Sequence, residues 1–251
     1  MLKMNARYIA RKVPELTIYF WIIKLLSTAL GESTSDYLVF HINPYIAVAL
    51  GGIGLVISLI LQFWVKKYIA WVYWLTVIMV AIFGTMAADV LHVALGIPYL
   101  VSTVFFSISL AAIFIVWYKF EKTLSIHSIN TRRRELFYWA TVMVTFALGT
   151  ATGDMTAATL GLGYLLSGVL FVVLFIIPGI GYLKFKWNSI FTFWFAYVIT
   201  RPFGASFADW FGKSILGGLG LGDEIVSVVL AVIIIIFVAY LTITRKDIKE
   251  H

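Results

Sequence analysis

Eight apolar stretches run along the chain, at about 16–39, 45–65, 69–92, 98–118, 136–160, 163–183, 189–212 and 225–244. A helix needs about 20 mostly apolar residues to cross a bilayer, and each stretch reaches that length. The apolar positions are continuous and do not alternate with period two, which argues against the strands of a membrane barrel. The pattern predicts an all-α polytopic membrane protein of eight transmembrane helices in one integral membrane domain, 1–251. The seventh stretch is the most polar.

A second pattern lies on the odd-numbered stretches. Phe20-Trp21, Tyr73-Trp74, Tyr138-Trp139 and Phe193-Trp194 are each followed by a glycine ten residues after the tryptophan (Gly31, Gly84, Gly149, Gly204) and an aspartate five residues later (Asp36, Asp89, Asp154, Asp209). Each copy spans two stretches, so the copies share one orientation. They read as four parallel two-helix repeats, about 12–65, 66–118, 132–184 and 185–245, with 119–135 as a cytoplasmic loop joining two halves. A pseudo-fourfold or nested twofold bundle follows, with the odd helices converging on its axis. The tryptophans read as interfacial anchors, and the glycines as places where a neighbouring helix comes close. Gly161-Leu-Gly163 and Gly217-Gly218-Leu-Gly220 read as turns, since neither has a phosphate-loop pattern.

Composition agrees: 62% of the residues are hydrophobic and 12% charged, against roughly 25% charged in soluble domains. Sixteen of the nineteen lysines and arginines fall in the segments on one side of an eight-span arrangement. The excess of basic residues in cytoplasmic loops then places both termini in the cytoplasm. That placement accounts for the net charge of +7 without nucleic acid as a partner. The first sixteen residues carry Lys3, Arg7, Arg11 and Lys12 and do not read as a cleavable signal. Pro14 and Glu15 are expected to cap the first helix. The absence of cysteine excludes disulfides, thiolate metal sites and cysteine-held iron–sulfur clusters.

Carboxylates at membrane depth are costly and mark function by default. Stepping back by fours along one helical face, the first stretch reads Lys24, Thr28, Glu32, Asp36. The third reads Val77, Ala81, Thr85, Asp89, the fifth Val142, Phe146, Thr150, Asp154, and the seventh Tyr197, Arg201, Ala205, Asp209. Glu32, Asp36, Asp89, Asp154, Asp209, Thr85 and Thr150 are the candidate ion-binding set, with Asp36, Asp89, Asp154 and Asp209 as metal ligands. Lys24 and Arg201 are the charge-pairing or coupling residues. Oxygen ligands suit a hard divalent cation such as magnesium or manganese, and clustered carboxyls also hold protons. The expected function is a transporter or carrier for a small cation, coupled to protons. One alternative is a structural or sensory membrane protein in which Lys24 and Arg201 neutralise two aspartates. Another is a haem- or quinone-handling protein that uses the many Trp and Tyr residues, or His41 and His92. Arg201-Pro202 predicts a kink or a break in the seventh helix. No nucleophile–base pair or nucleotide fingerprint points to an enzyme. No cofactor is certain; a divalent cation is the one these residues could hold. The partners expected are lipid and a small cation or proton, and a homo-oligomer stays open.

Lys12-Val-Pro-Glu15, Gly31-Glu-Ser-Thr-Ser-Asp36, His127-Ser-Ile-Asn-Thr-Arg-Arg-Arg-Glu135, Gly149-Thr-Ala-Thr-Gly-Asp154 and Thr200-Arg-Pro-Phe-Gly-Ala-Ser-Phe-Ala-Asp209 carry a resemblance. With these motifs the chain resembles a bacterial membrane family defined by a repeat, domain of unknown function 347. The resemblance covers nearly the whole chain. It implies repeated membrane spans in a bacterial inner-membrane protein and supplies no mechanism.

Overall fold

A computed structural model describes residues 11–248; Lys3, Arg7 and Lys249 of the expected basic side lie outside them. Among the described residues there are eight long helices and no strand. They are α1 Ile18–His41, α2 Pro44–Trp64, α3 Ala70–Asp89, α4 Tyr99–Glu121, α5 Arg132–Asp154, α6 Gly163–Phe185, α7 Ser189–Gly212 and α8 Asp223–Thr244. Single π-helical turns, Val90–Ala94 and Met155–Thr159, extend α3 and α5 directly after their aspartates.

Side-chain caps set four of the helix starts. Thr17, Asn43, Thr131 and Asn188 each accept a backbone N–H of the first turn, replacing one of the partners a helix start lacks. The cap of α1 is therefore Thr17. Glu15, expected to serve there, instead pairs with Arg11. Pro202 sits inside α7, which stays one continuous helix, so of the kink or break expected at Arg201-Pro202 the break does not occur.

Six helices are long and apolar enough to cross a membrane: α2, α3, α4, α5, α6 and α8. The other two, α1 and α7, have 24 residues each but hold Lys24, Glu32 and Asp36, and Arg201 and Asp209, in their interiors. Both are packed at the centre. There α1 packs on α3, α3 on α5, α5 on α7 and α7 on α1, which closes a square. Each even helix lies outside, mainly against the odd helix that follows it: α2 on α3, α4 on α5, α6 on α7, and α8 on α1. The even helices leave most of their Leu, Ile, Val and Phe exposed, as a lipid-facing surface requires when no water is present to be shed.

The repeated motif is the joinery of this square. A Cβ on Gly31 would overlap Ala81, one on Gly84 would overlap Phe146, one on Gly149 would overlap Arg201, and one on Gly204 would overlap Thr28. Each of these partners stands eight residues before the aspartate of its own helix, so the contact is the same at all four corners. The aromatic pairs repeat the relation near the other end. Phe20 meets Trp74 at 5.7 Å between ring centroids, Tyr73 meets Trp139 at 5.7 Å, Tyr138 meets Trp194 at 6.2 Å and Phe193 meets Trp21 at 6.0 Å. Trp74, Trp139 and Trp194 are at most 5% exposed. The anchor role expected of them is thus replaced by core packing. The tryptophans exposed beside basic loops are Trp64, Trp71 and Trp187.

Candidate functional site

Because the four odd helices run parallel, their aspartates meet at one end of the square. Asp36 of α1 and Asp209 of α7 share a cation, Lys213, whose Nζ lies 2.8 Å from an oxygen of each. Lys213 follows Asp209 by four residues, and the chain after it folds back over the helix end. Gly220 N–H donates to Lys213 O at 3.0 Å and Gly222 N–H to Gly212 O at 3.0 Å. Gly217 and Gly220 hold positive φ in this turn, a conformation glycine adopts without a Cβ clash. Burial works against the charge on Lys213, but Asp209, Asp36 and Glu32 outweigh it and hold the ammonium well above the ordinary lysine range. Lys213 was absent from the sequence-derived set. Its signal was the four-residue spacing from Asp209.

One turn deeper lies a hub around Arg201, which is fully buried. One guanidinium nitrogen shares its two N–H groups among Glu32 Oε2 at 2.5 Å, Thr150 Oγ1 at 2.6 Å and Thr85 Oγ1. The hub thus joins all four odd helices, and it gathers Glu32, Thr85, Thr150 and Arg201 as the shared stripe predicts. The expected pairing is corrected in one respect: Arg201 takes Glu32 and not an aspartate. A larger correction concerns Lys24. Its Nζ has no hydrogen-bond partner and no carboxylate. It lies between the rings of Phe146 and Tyr197, at 4.0 and 4.2 Å from their centroids.

With Arg201 on Glu32 and Lys213 on Asp36 and Asp209, no lysine or arginine among the described residues pairs with Asp89 or Asp154. These two share a different neighbour. His92 Nδ1 lies 4.0 Å from Asp154 Oδ2, and the histidine side chain is 4% exposed. His92 Nε2 is 2.5 Å from Ser102 Oγ on α4, while Nδ1 has no hydrogen-bond partner. One atom each from Asp89, His92 and Asp154 lie within 4.8 Å of one another, as do atoms from Glu32, Asp154 and Asp209. The sequence offers His92 only as a haem or metal candidate beside His41, not as a partner of the aspartates. Its position three residues after Asp89 puts both on one helix face, and the π-helical turn carries the chain between them. His41 is exposed and bonded to Tyr37 O.

The opposite end is closed by ion pairs and hydrogen bonds. Lys12 Nζ meets Glu135 at 2.5 Å, and Gln62 donates to the same carboxylate at 2.9 Å. Arg134 and Arg133 hold Glu121, and Tyr68 donates to Asp247. The motifs Lys12-Val-Pro-Glu15 and His127–Glu135 build this closure.

The repeat of unknown function DUF347 matches residues 19–68, 72–123, 137–186 and 192–247. The chain belongs to this family. Each DUF347 unit takes in one inner helix and the outer helix after it, so the family repeat and the structural repeat coincide. No curated protein and no solved structure matches the chain.

Proposed function

We propose that this DUF347 protein is a membrane carrier for a small divalent cation, of the magnesium or manganese class, coupled to protons. All eight helices cross the bilayer in this reading. The basic loops and both termini face the cytoplasm of a bacterial inner membrane, and the cation enters from the aspartate end. The observation that carries the reading is the acidic pair that no lysine or arginine among the described residues reaches. Asp89 and Asp154 converge with an unpartnered histidine nitrogen, and two carboxylates so placed in low dielectric need a proton or a cation between them. Carboxylate oxygens favour hard cations, and one imidazole extends the range towards manganese. Ser102 would fix the ring of His92 through its other nitrogen, the usual way an imidazole ligand is oriented. The closed end, with Lys12 on Glu135, supports a carrier that opens to one side at a time rather than a pore.

The test is manganese binding to the purified protein in lipid nanodiscs, followed by uptake into proteoliposomes. Asp89→Asn and Asp154→Asn are each expected to weaken binding by about tenfold or more, since even outer-shell changes cost that much. Wild-type binding and uptake in both variants would sink the proposal. The Arg201–Glu32 pair favours a structural role for part of the buried charge, and the two roles coexist: the hub joins the helices and the outer acidic pair binds.

A further inference from the structure

The four corners of the square repeat one another, but the seams outside them do not. Each even helix lies on the odd helix that follows it and reaches towards the odd helix after that. Where α4 reaches α7, Phe114 and Trp117 cover the motif tryptophan Trp194, with ring centroids 5.1 and 5.7 Å away. Where α6 reaches α1, Phe175 covers Trp21 at 5.6 Å. Where α8 reaches α3, aliphatic residues take the place of the rings. Val238 and Leu241 stand as far from the end of their matched repeat as Phe114 and Trp117 do from the end of theirs. The motif tryptophan of α3, Trp74, therefore floors a groove of about 490 Å³.

Trp71, Leu75 and Ile78 continue the α3 wall of this groove, and Ile234, Val238 and Ile243 belong to the α8 wall. The lining from Trp71 to Ile78, and from Ile243 back to Ile234, covers roughly 10–14 Å at 1.5 Å per residue. That is close to one leaflet of a hydrocarbon core about 30 Å thick. Four cations stand at the basic end of the groove. Lys66 and Lys67 come just before Trp71 along the chain, Arg245 and Lys246 come just after Ile243, and all four are exposed. Lys246 donates to Tyr240, while Lys66, Lys67 and Arg245 form no ion pair among the described residues. The carboxylates beside them are taken: Asp247 accepts from Tyr68, and Glu15 pairs with Arg11. Cations and an exposed tryptophan above an apolar slot between helices suit the headgroup and chain of an anionic lipid.

We propose that the groove between α3 and α8 is a binding site for one anionic phospholipid of the leaflet on the basic side. An acyl chain lies over Trp74, in the place that Phe114 and Trp117 take beside Trp194. Lys66, Lys67 and Arg245 meet the phosphate, and Trp71 sits at headgroup level. A second copy of this chain seated there through a twofold contact would bring the same cations together, which favours a lipid as the occupant. The site borders the junction of the two chain ends, where Tyr68 N–H donates to Arg11 O at 2.8 Å and Glu15 N–H to Asp247 O at 2.9 Å. A lipid held there ties the loop before α3 to the segment after α8, so its binding stabilises the closed ring. This rests on the membrane placement proposed above and not on the cation.

The experiment is native mass spectrometry of the detergent-released protein, titrated with phosphatidylglycerol and separately with phosphatidylcholine of the same chains. Melting temperatures are read on the same samples. The wild type is expected to retain one phosphatidylglycerol and to prefer it by about tenfold or more, since each basic residue near a lipid surface is worth about fivefold. Lys66→Gln, Lys67→Gln and Arg245→Gln combined should erase that preference. Lys184→Gln with Lys186→Gln, on the loop between α6 and α7, should keep it. Val238→Phe restores a ring over Trp74. It should melt no lower than the wild type without lipid, yet lose both the retained lipid and the rise in melting temperature that lipid brings. Equal retention of the two lipids by the wild type, lipid retained by Val238→Phe, or an equal loss in the Lys184 and Lys186 variant would each overturn the proposal. So would a concentration-dependent dimer that Val238→Phe dissolves, since a second chain would then hold the groove. A wild type that retains phosphatidylglycerol but binds no manganese overturns only the cation reading, and the reverse result overturns only this one.

Discussion

Arg201→Met isolates the value of the central hub. The guanidinium bonds Glu32, Thr85 and Thr150 at once, with Thr28 O a further 3.5 Å contact. The two threonines do not depend on it, because Thr85 also donates to Ala81 O at 3.0 Å and Thr150 to Phe146 O at 3.3 Å. Their share of the loss is small. Glu32 is different. It is 2% exposed, and Thr85 at 3.4 Å is its other donor among the bonds seen. Removing one member of a buried ion pair costs about 3–5 kcal/mol, mostly through the charge left behind. Adding Glu32→Gln removes that stranded charge, so the double variant should recover about 1–3 kcal/mol of the loss, the usual coupling within one network. At about 2–4 °C per kcal/mol for a chain of this length, Arg201→Met should melt roughly 10 °C lower and the double variant several degrees higher than the single. The assay is thermal unfolding of detergent-purified protein, with all four corners of the cycle measured. A double variant no more stable than Arg201→Met would refute the assignment of Glu32 as the partner that matters.

Three further outcomes follow from the same geometry. Gly204→Ala should destabilise by about 1–3 kcal/mol through overpacking against Thr28, whereas Gly179→Ala, with open space around it, should be neutral or stabilising by up to about 1 kcal/mol; melting temperatures of the two variants distinguish the sites. Trp139→Ala should cost about 3–5 kcal/mol as a core truncation and Trp64→Ala far less, and equal effects on the melt would restore the anchor reading. Burial raises the Asp247 carboxyl above its ordinary value near 3.8. The folded protein therefore holds that proton more tightly than the unfolded chain. Its contribution is most favourable below the ordinary value and is lost as pH rises through the raised one. Asp247→Asn should flatten the stability profile across that window, as melts at stepped pH would report.

The repeat was legible in the sequence because its spacing records contacts. Trp, Gly and Asp recur at fixed intervals because each glycine must receive the next helix at one height and each aromatic pair at another. The hub was legible too, since stepping by fours aligns Glu32, Thr85, Thr150 and Arg201. A helical face, however, tells where a side chain points along its own helix and not which neighbour receives it. That is why Lys24 was matched with carboxylates it does not reach, while Lys213, outside the apolar stretch, was passed over. His92 carried a usable signal, three residues after Asp89, but the π-helical turns that orient it have no composition of their own.

The last corner of the square, where Gly204 of the fourth unit receives Thr28 of the first, has a consequence for how the gene can be cut. Linear repeat arrays need end caps and grow by adding units; a closed ring has neither beginning nor spare edge. Glu15 N–H already donates to Asp247 O at 2.9 Å, so the two chain ends of the ring are neighbours. A circular permutant joined there and opened in the loop between α4 and α5 would keep all four corners, while deletion of any one unit would leave two faces open to lipid that are shaped only for each other.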